Sequence, residues 1–526
     1  MAGLRREPAD ILAELADLRA ADAPTHGGRV LAYVYDSGRP ELDALAADAA
    51  RAVQPVNGLD PTTFTSVAAM ERGVVGFARA AFHGDGDVVG SVTSGGTESC
   101  ILAVKTARDA WAAARARSGA DPDALRPRLV APITAHAAFR KAAHVLGLAY
   151  DPVPVDASTG RPDPAAIGDR LGDDVALVVV SAPSYPFAAL DPVAEVAALT
   201  AARGIPLHVD ACIGGFALAF AGDDRALPAW DFTVPGVTSL SADLHKYGYA
   251  PKGVSVLLTR GRDLQRHQYF ATTEWPGYPV VNPTLAGSKP AGPLAAGWAI
   301  IEALGVEGYA ELTAEALRAT DALRAAVDGI EGLRVVGDPV GPLFAVATDE
   351  RVPAERRVDP HHWADAAREA GWVLQAQPAV RQAGGDPLPR TTHLTVTPVT
   401  ESVLPALLPT LTAAADTVRG VPGVDGADAL AAVAAGSPEA AGLVAALTGG
   451  GADASGGAGG AGAAGLGLGL DSESAWAILS TLGLAGGLPG RLAPVMALIE
   501  ALPAPITERL LIELLARAVE PGPVGA

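Results

Sequence analysis

The sequence is short of cysteine, of basic residues and of long apolar runs, and each shortage excludes a class of protein. Its two cysteines, Cys100 and Cys212, are too few for a disulfide framework or a zinc site of thiolate type, so we expect two small buried residues. The 39 Lys and Arg residues face 59 Asp and Glu residues, and the net charge of −20 argues against nucleic acid or an anionic membrane as a partner. No run of about 18 strongly apolar residues occurs, so we expect no membrane span and a cytoplasmic location.

The chain does contain enough apolar residues to fold, since 49% are hydrophobic and only 19% are charged. Short β-branched runs alternate with helical patterns between residues 88 and 260. The predicted strands are residues 129–134, 175–181, 205–210, 237–241 and 254–259. Continuous apolar strands separated by helices predict a mostly parallel sheet with helices on both faces. Ligands bind such sheets beyond the carboxyl ends of the strands.

The rest of the chain divides by composition. Residues 305–420 predict a smaller α+β domain, with strands at 333–336, 342–347, 372–375 and 393–397 and helices at 360–370 and 401–418. Residues 421–470 are rich in Ala and Gly, most densely at 449–470, and predict a flexible linker. Residues 471–526 regain helical periodicity and predict a helical tail for docking or dimerisation. At the other end, Ile11, Leu12, Leu15 and Leu18 fall on one side of an amphipathic helix.

Two charged residues end apolar strands. Lys246 follows His245 in SLSADLHKYGYAPKG (239–253) and is either a solvated loop lysine or an amine that forms a Schiff base. Asp210 closes the strand before it and must be paired to be tolerated there. It is either the N-cap of the next helix or the partner of a protonated pyridine nitrogen, which pyridoxal phosphate requires.

Two further elements fit the same cofactor. In TSGGTES (93–99), Gly95, Gly96 and Thr97 open a helix and offer backbone N–H groups and a hydroxyl to an anion. His136 follows a predicted strand, where its imidazole either stacks on a flat cofactor ring or serves as a core or capping residue. Together the four elements predict a pyridoxal phosphate site.

The segments 93–99, 136–144, 208–216 and 241–253, with WPGYPVVNPTLAGSKPAG further on, resemble the pyridoxal-phosphate-dependent sphingosine-1-phosphate lyase family. That family belongs with the group II decarboxylases of fold type I, and the similarity covers roughly residues 30 to 410. The resemblance implies an α/β fold with a large cofactor-binding domain (61–304), a smaller C-terminal α+β domain (305–420) and a homodimer with active sites between subunits. Residues 1–60 would contribute to the active-site mouth and the dimer, and the helical tail has no counterpart.

The resemblance also implies roles for individual residues. Lys246 would carry the cofactor, Asp210 would pair with its pyridine nitrogen and His136 would stack on its ring. The cofactor phosphate would lie at Gly95, Gly96 and Thr97, close to Ser241 and His245. Tyr35 would stand at the active-site mouth, and Lys252 and Lys289 would attract an anionic group of the substrate.

The sequence also departs from the family pattern. Phe187 and Asp60 stand where histidines are expected, Lys289 replaces an arginine, and residues 31–33 (LAY) replace small residues. We expect these changes on the substrate side. Two reactions stay open: cleavage of a carbon–carbon bond in a phosphorylated or anionic 2-amino-3-hydroxy compound, releasing an aldehyde, and amino-acid decarboxylation. A non-catalytic scaffold is disfavoured by the intact Lys246, Asp210 and His136.

Overall fold

The computed structural model describes residues 4–121, 124–222, 225–436, 438, 441–442, 444–445, 470–485, 487 and 489–521. Three helices precede the main sheet: α1 (Pro8–Arg19), α2 (Pro40–Ala52) and α3 (Thr65–Ala81). Helix α1 carries the predicted apolar stripe but buries none of its residues. None of the described helices is long and apolar enough to cross a membrane.

A seven-stranded sheet forms the centre of the large domain. Its strands are β1 (Val88–Thr93), β2 (Arg128–Pro132), β3 (Ala149–Val153), β4 (Val175–Ser181), β5 (Leu207–Asp210), β6 (Val237–Ala242) and β7 (Ser255–Arg260), in the order β1-β7-β6-β5-β4-β2-β3. The pairs formed by β2 to β6 are parallel, whereas β7 runs antiparallel to both β1 and β6. The predicted fold class is therefore confirmed, although β1 and β3 were not among the predicted strands.

Strand β4 shows why this sequence forms a central strand. All seven residues of VALVVVS are buried. Val178 and Val180 point into one apolar cluster, and Leu177 and Val179 point into a second cluster on the opposite face. Burying each such side chain contributes roughly 1.5–3 kcal/mol. Because neither face of β4 is polar, the strand is stable only where apolar side chains pack against both faces.

Helices cover this sheet, and a short hairpin extends from it. The helices are α4 (Gly96–Arg117), α5 (Ala137–Leu146), α6 (Pro164–Gly168), α7 (Val193–Ala201), α8 (Gly215–Ala219) and α9 (Arg262–Gln265), followed by the hairpin strands β8 (Phe270–Thr272) and β9 (Val280–Asn282). The long helix α10 (Gly292–Asp328) leads out of the large domain. It is broken at Gly305, which has a positive φ of 55°.

The smaller unit is an antiparallel four-stranded sheet with two helices. Its strands are β10 (Leu333–Val335), β11 (Leu343–Thr348), β12 (Gln375–Gln377) and β13 (Thr391–Thr395), in the order β10-β11-β13-β12, with helices α11 (Pro360–Glu369) and α12 (Pro398–Val418). Strand β12 begins three residues later than the run at 372–375 predicts. The early residues Trp372 and Leu374 are buried in the unit's core instead.

The C-terminal region contains the helices α13 (Gly426–Gly436), α14 (Ser472–Thr481), α15 (Ala493–Ala501) and α16 (Ala504–Ala518). Helix α13 lies inside the segment predicted to be a flexible linker, so that prediction is wrong for residues 426–436. Alanine favours helix, and Val433 is buried with Ile478, Leu498 and Ile506 in a cluster that the tail forms by itself. The Ala/Gly tract at 449–469 lies outside the described residues.

Candidate active site

A cavity of about 850 Å³ opens beyond the carboxyl ends of β4, β5 and β6. Most of the residues singled out from the sequence line it: Tyr35, Gly95, Gly96, Thr97, His136, Asp210, His245, Lys246 and Lys252. Ser241 and Lys289 are not among the lining residues. A larger groove of about 1260 Å³ lies elsewhere and contains none of the predicted cofactor residues, so the smaller cavity is the candidate site.

Lys246 is held by a carboxylate that the sequence analysis missed. Its Nζ lies 2.9 Å from Oδ2 of Asp243, and the same carboxylate accepts a 2.6 Å hydrogen bond from the Ser255 hydroxyl. His245 Nε2 stands 3.4 Å from it. Burial alone would raise the pKa of Asp243, but the neighbouring Lys246 and His245 outweigh burial and lower it. Burial opposes a high pKa at Lys246, yet Asp243 raises it, so the amine is an ammonium ion in the protein without its cofactor.

The glycine-rich start of α4 packs closely against this pair. A Cβ on Gly96 would stand 2.7 Å from Asp243 Oδ2 and 3.0 Å from Cys212 Sγ. A Cβ on Gly95 would approach His245 Cε1 at 3.1 Å. Only glycine therefore allows the helix N-terminus, with its free N–H groups, to come this near the lysine. This is the cradle that a phosphate group next to Lys246 requires.

The loop before α4 is held by Glu98, a buried residue in the first turn of the helix. Its Oε2 accepts a hydrogen bond from the Ser94 N–H at 2.6 Å, and its Oε1 accepts one from the Leu285 N–H at 2.8 Å. The carboxylate thus ties the glycine-rich loop to the segment after β9, and the loop has a defined shape before any ligand binds.

Asp210 stands at the end of β5, and one of its carboxylate oxygens accepts a hydrogen bond from the Cys212 N–H at 3.1 Å. It lines the cavity, where its carboxylate can meet a cationic ligand group. Cys100 and Cys212 lie beside it, with sulfur and carboxylate atoms within 4.8 Å of one another. Both cysteines are free and buried, as the sequence predicts.

Ser241 points away from the cavity. Its hydroxyl bonds to His208 Nε2 at 3.0 Å and accepts from the Cys212 thiol at 3.2 Å, and Ser239 bonds to the other ring nitrogen of His208 at 2.9 Å. Burial lowers the pKa of His208 to about 4, against the opposing charge of Asp210, so this imidazole is neutral near pH 7. Through Cys212, which lines the cavity, this hydrogen-bonded chain of buried side chains is connected to the candidate site.

His136 has the capping role that the sequence left open, and it also lies at the cavity. It is the N-cap of α5, where its Nδ1 accepts a hydrogen bond from the Ala138 N–H at 3.2 Å. Its exposed side chain also lines the cavity. The cap fixes the orientation of the imidazole, so a ring presented to a flat ligand needs no rearrangement.

Tyr35 and Lys252 contact each other in the lining of the cavity. The ammonium of Lys252 lies 4.6 Å from the centre of the Tyr35 ring and donates to the His245 carbonyl at 3.0 Å. Tyr35 in turn packs edge-on against Tyr247 with ring centres 5.2 Å apart. Desolvation raises the pKa of Tyr35 to about 12, and desolvation together with Lys246 lowers the pKa of Lys252 to about 8. Lys252 is thus a cation near neutral pH.

The smaller domain supplies a wall that sequence reasoning did not find. Gln375, Ala376, Gln377 and Pro378 line the cavity, as do Tyr33 and Tyr185. Tyr185 stacks on His393 with ring centres 4.3 Å apart, and burial lowers the pKa of His393 to about 3. These positions carry no motif. The missing Asp243, in contrast, follows directly after β6 and stands three residues before Lys246, so an argument like that made for Asp210 would have found it.

The residues that depart from the family pattern do not all lie at the cavity, where the sequence analysis expected them. Phe187 is buried in a cluster with Val155 and Leu388 and is not among the residues that line the cavity. Asp60 lies at the larger groove, where it accepts hydrogen bonds from Thr62 and Thr63. Lys289 is nearby, with its N–H bonded to Asn57 and its Nζ 3.5 Å from the Thr284 hydroxyl. Of the replaced residues 31–33, Tyr33 lines the cavity.

Comparison with known proteins defines the class. Residues 64–345 match the pyridoxal-dependent decarboxylase conserved domain, and residues 402–517 match the model of a C-terminal HTH domain of pyridoxal-dependent enzymes. The helical tail therefore does have a counterpart, and the expectation that it has none is wrong. The chain is therefore a member of the pyridoxal-dependent decarboxylase family, and its cofactor is pyridoxal phosphate. The lysine, the glycine cradle and the carboxylate at Asp210 fit that cofactor.

Within this class, the relatives are sphingosine-1-phosphate lyases. The enzyme of Oryza sativa is 34% identical over 422 residues, which cover 78% of this chain and 74% of the relative. Sphingosine-1-phosphate lyase 1 of Rattus norvegicus is 36% identical over 345 residues, or 65% of this chain, and the match spans only 59% of that relative. The solved lyase of Burkholderia pseudomallei has 33% identity and a TM-score of 0.71, covering 80% of this chain and 93% of that one.

Proposed function

We propose that this protein is a pyridoxal-phosphate-dependent carbon–carbon lyase. It cleaves a phosphorylated or otherwise anionic 2-amino-3-hydroxy compound and releases an aldehyde. The observation that carries the proposal is Lys252, whose ammonium shares the cavity with Lys246 and so offers a cation to a substrate anion in a chain of net charge −20. The lyases named above, at 33–36% identity, support the same reaction.

The cofactor supplies an electron sink for the pair left at the substrate carbon when the bond breaks. Lys246 would bind it covalently, Asp210 would face its pyridine nitrogen, and Gly95, Gly96 and Thr97 would receive its phosphate beside His245. His136 would lie against its ring. Asp243 would hold the Lys246 amine in place through the 2.9 Å contact.

Tyr35 would act as a proton donor at the mouth of the site. With its pKa raised to about 12, the phenol keeps its proton near pH 7 and donates a hydrogen bond more readily than it removes a proton. Its ring also contacts Lys252, so one side chain would position both the substrate anion and the reacting hydroxyl group.

The second candidate is an amino-acid decarboxylase. It is favoured by the same cation, because an α-carboxylate would also be attracted to Lys252. The glutamate decarboxylase of Lactobacillus brevis has a TM-score of 0.69 to this chain at 20% identity, which reflects the shared fold. One cofactor site serves both reactions, so the products decide between them.

A product assay tests the proposal. The purified holoenzyme is incubated with phosphorylated amino alcohols and with amino acids, and aldehyde and carbon dioxide are measured together. We expect aldehyde without carbon dioxide, and no product from Lys246→Ala. Stoichiometric carbon dioxide would instead establish the decarboxylase, and a wild-type protein without the visible absorption of a lysine-bound cofactor would remove both candidates.

We also propose a cytoplasmic homodimer with each active site near the subunit interface. Exposed apolar side chains on the β8–β9 hairpin support this: Phe270, Trp275, Tyr278 and Val281 are all more than 45% exposed. In such a dimer Asp60, at the groove beside the hairpin, and the nearby Lys289 would face the partner. The domain division proposed is residues 1–60, 61–304, 305–420, 421–470 and 471–526, with the linker shortened by α13.

A further inference from the structure

The wall formed by Gln375–Gln377 and Pro378 is the only part of the described cavity lining that comes from the smaller domain. After Pro378 the chain leaves the cavity as a loop, closed by the pairing of Val380 with Leu388, and returns at β13. Strand β12 lies at the edge of its sheet and pairs with β13 on one side only. The position of the wall beyond Gln377 therefore depends also on what holds the loop.

Glu500, on α15 of the tail, holds that loop. Its Oε1 accepts a 2.9 Å hydrogen bond from the Ala379 N–H, directly after the wall. Its Oε2 forms an ion pair with Arg390, at the far end of the same loop. The two side chains are only 13% and 24% exposed, so the contacts are shielded from solvent and are stronger than surface ion pairs.

The network of polar contacts continues from Arg390 to the wall itself. Arg390 Nη1 lies 3.1 Å from Oδ2 of Asp359, and the other oxygen of Asp359 accepts from the N–H groups of His361 and His362 at the start of α11. His361 Nε2 then meets the carbonyl of Gln377, within the wall, at 2.8 Å. One network thus joins the tail to Gln377 in the cavity wall and to Ala379, the residue directly after the wall.

The tail itself is docked firmly enough to transmit this contact. The carboxylate of Asp365 accepts hydrogen bonds from the Leu492 and Ala493 N–H groups at 2.7 and 3.0 Å, which caps α15, and Arg491 pairs with Glu369. The arginines of the described tail, Arg491, Arg509 and Arg517, all pair with carboxylates. The charge pattern therefore gives no support to nucleic acid as the partner of this helical unit.

We propose that Glu500 is a positioning residue for the active site, and that the C-terminal helical unit serves to hold the substrate-side wall 375–378 in place. Glu500 acts through Ala379 and Arg390 and touches no reacting atom. The effect on substrate binding rests on the proposed function, because it assumes that the cavity receives the substrate. The effect on the mobility of the wall is independent of the proposed function.

The test compares Glu500→Ala, Glu500→Gln and Arg390→Ala holoenzymes with a control, Glu508→Gln, at an exposed carboxylate of the same tail. Amide hydrogen exchange is followed in peptides covering residues 375–390, with KM and kcat measured alongside. We expect exchange after Pro378 about tenfold faster and KM about tenfold higher in Glu500→Ala, with kcat within about threefold and the cofactor absorption unchanged. Glu500→Gln, which keeps an acceptor for Ala379, lies between, and the control matches the wild type.

Exchange equal to the control would overturn the proposal, as would faster exchange with an unchanged KM, because the contact would then be structural only. If the wild type releases no aldehyde, the lyase assignment fails by itself. The amine concentration that half-shifts the cofactor absorption then replaces KM and judges Glu500 separately. Should no amine shift it, the exchange result alone decides, and unchanged exchange rejects the role of Glu500.

Discussion

Lys252 and Lys246 line one cavity but differ in their electrostatic surroundings. Lys246 has Asp243 at 2.9 Å, which raises its pKa, whereas Lys252 has an aromatic ring and a carbonyl, and its pKa falls to about 8. The difference separates their tasks. Asp243 holds Lys246 in place, whereas Lys252 is a cation that loses its charge within a pH range that enzymes tolerate.

The pKa of Lys252 predicts how substrate binding depends on pH. The ammonium is present below pH 8 and is lost above it, so KM for an anionic substrate rises by up to about tenfold per pH unit beyond 8. Lys252→Arg should stay flat over this range because guanidinium keeps its charge. Lys252→Gln should have a high KM at every pH. Steady-state kinetics between pH 6.5 and 9.5 measure this, and a wild-type profile as flat as that of Lys252→Arg would contradict the role.

At the scale of elements, the start of α4 decides how near a helix N-terminus can come to Lys246. The turn between β1 and α4 is tied down by Glu98, and Gly96 faces the Asp243 carboxylate without a side chain. Helix α3, the helix before α4, also contains glycine, but a Cβ on its Gly76 would have no atom within 4 Å. A close contact therefore requires glycine at position 96, whereas no contact requires it at position 76.

Replacing each glycine with alanine distinguishes these reasons. Gly96→Ala forces Asp243 or the helix to move, and we expect a loss of about 1–3 kcal/mol in the free energy of unfolding with at least a tenfold weaker hold on the cofactor. Gly76→Ala adds helix propensity at an open position and should gain about 0.5–1 kcal/mol. Denaturant unfolding and visible absorption measure both effects. Equal behaviour of the two variants would show that the close approach at Gly96 is unimportant.

At the scale of the whole molecule, two regions outside the central sheet make contacts that can be tested. Glu500 of the tail contacts the residue directly after the cavity wall, and the hairpin of β8 and β9 presents exposed aromatic residues beside the larger groove. Exposed apolar groups of this size are characteristic of protein interfaces. The hairpin is held by its own contacts, since Trp275 donates to the Tyr278 carbonyl at 2.6 Å.

The proposed dimer can be tested through this hairpin. We expect the wild type to sediment as two chains of 53.0 kDa, and a Tyr278→Glu/Val281→Glu variant to shift towards the monomer and lose activity. Charges in an apolar interface remain unpaired and cost several kcal/mol. Val145→Glu, at an exposed apolar residue of α5, serves as the control. A wild-type protein that sediments as a monomer, or a hairpin variant that stays dimeric and active, would refute the interface.

The sequence by itself determined the class of fold and most of the residues that meet in the cavity. Apolar strands such as β4 can be recognised locally, because their pattern reflects cover on both faces. Residues that end such strands meet at one edge, which brought together Asp210, His136, Lys246 and the glycine cradle. Strands β1 and β3 were missed because partly exposed residues interrupt the buried apolar pattern in both.

Only the tertiary structure decided which neighbours these residues have. The pairing of Asp243 with Lys246, the turn of Ser241 towards His208 and the distance of Lys289 from the cavity depend on side-chain directions that no local pattern encodes. The wall at 375–378 and its partner Glu500 are more than a hundred residues from the lysine and from each other. Contacts of that kind arise from the packing of whole elements, since apolar periodicity specifies which face is buried but not against which partner.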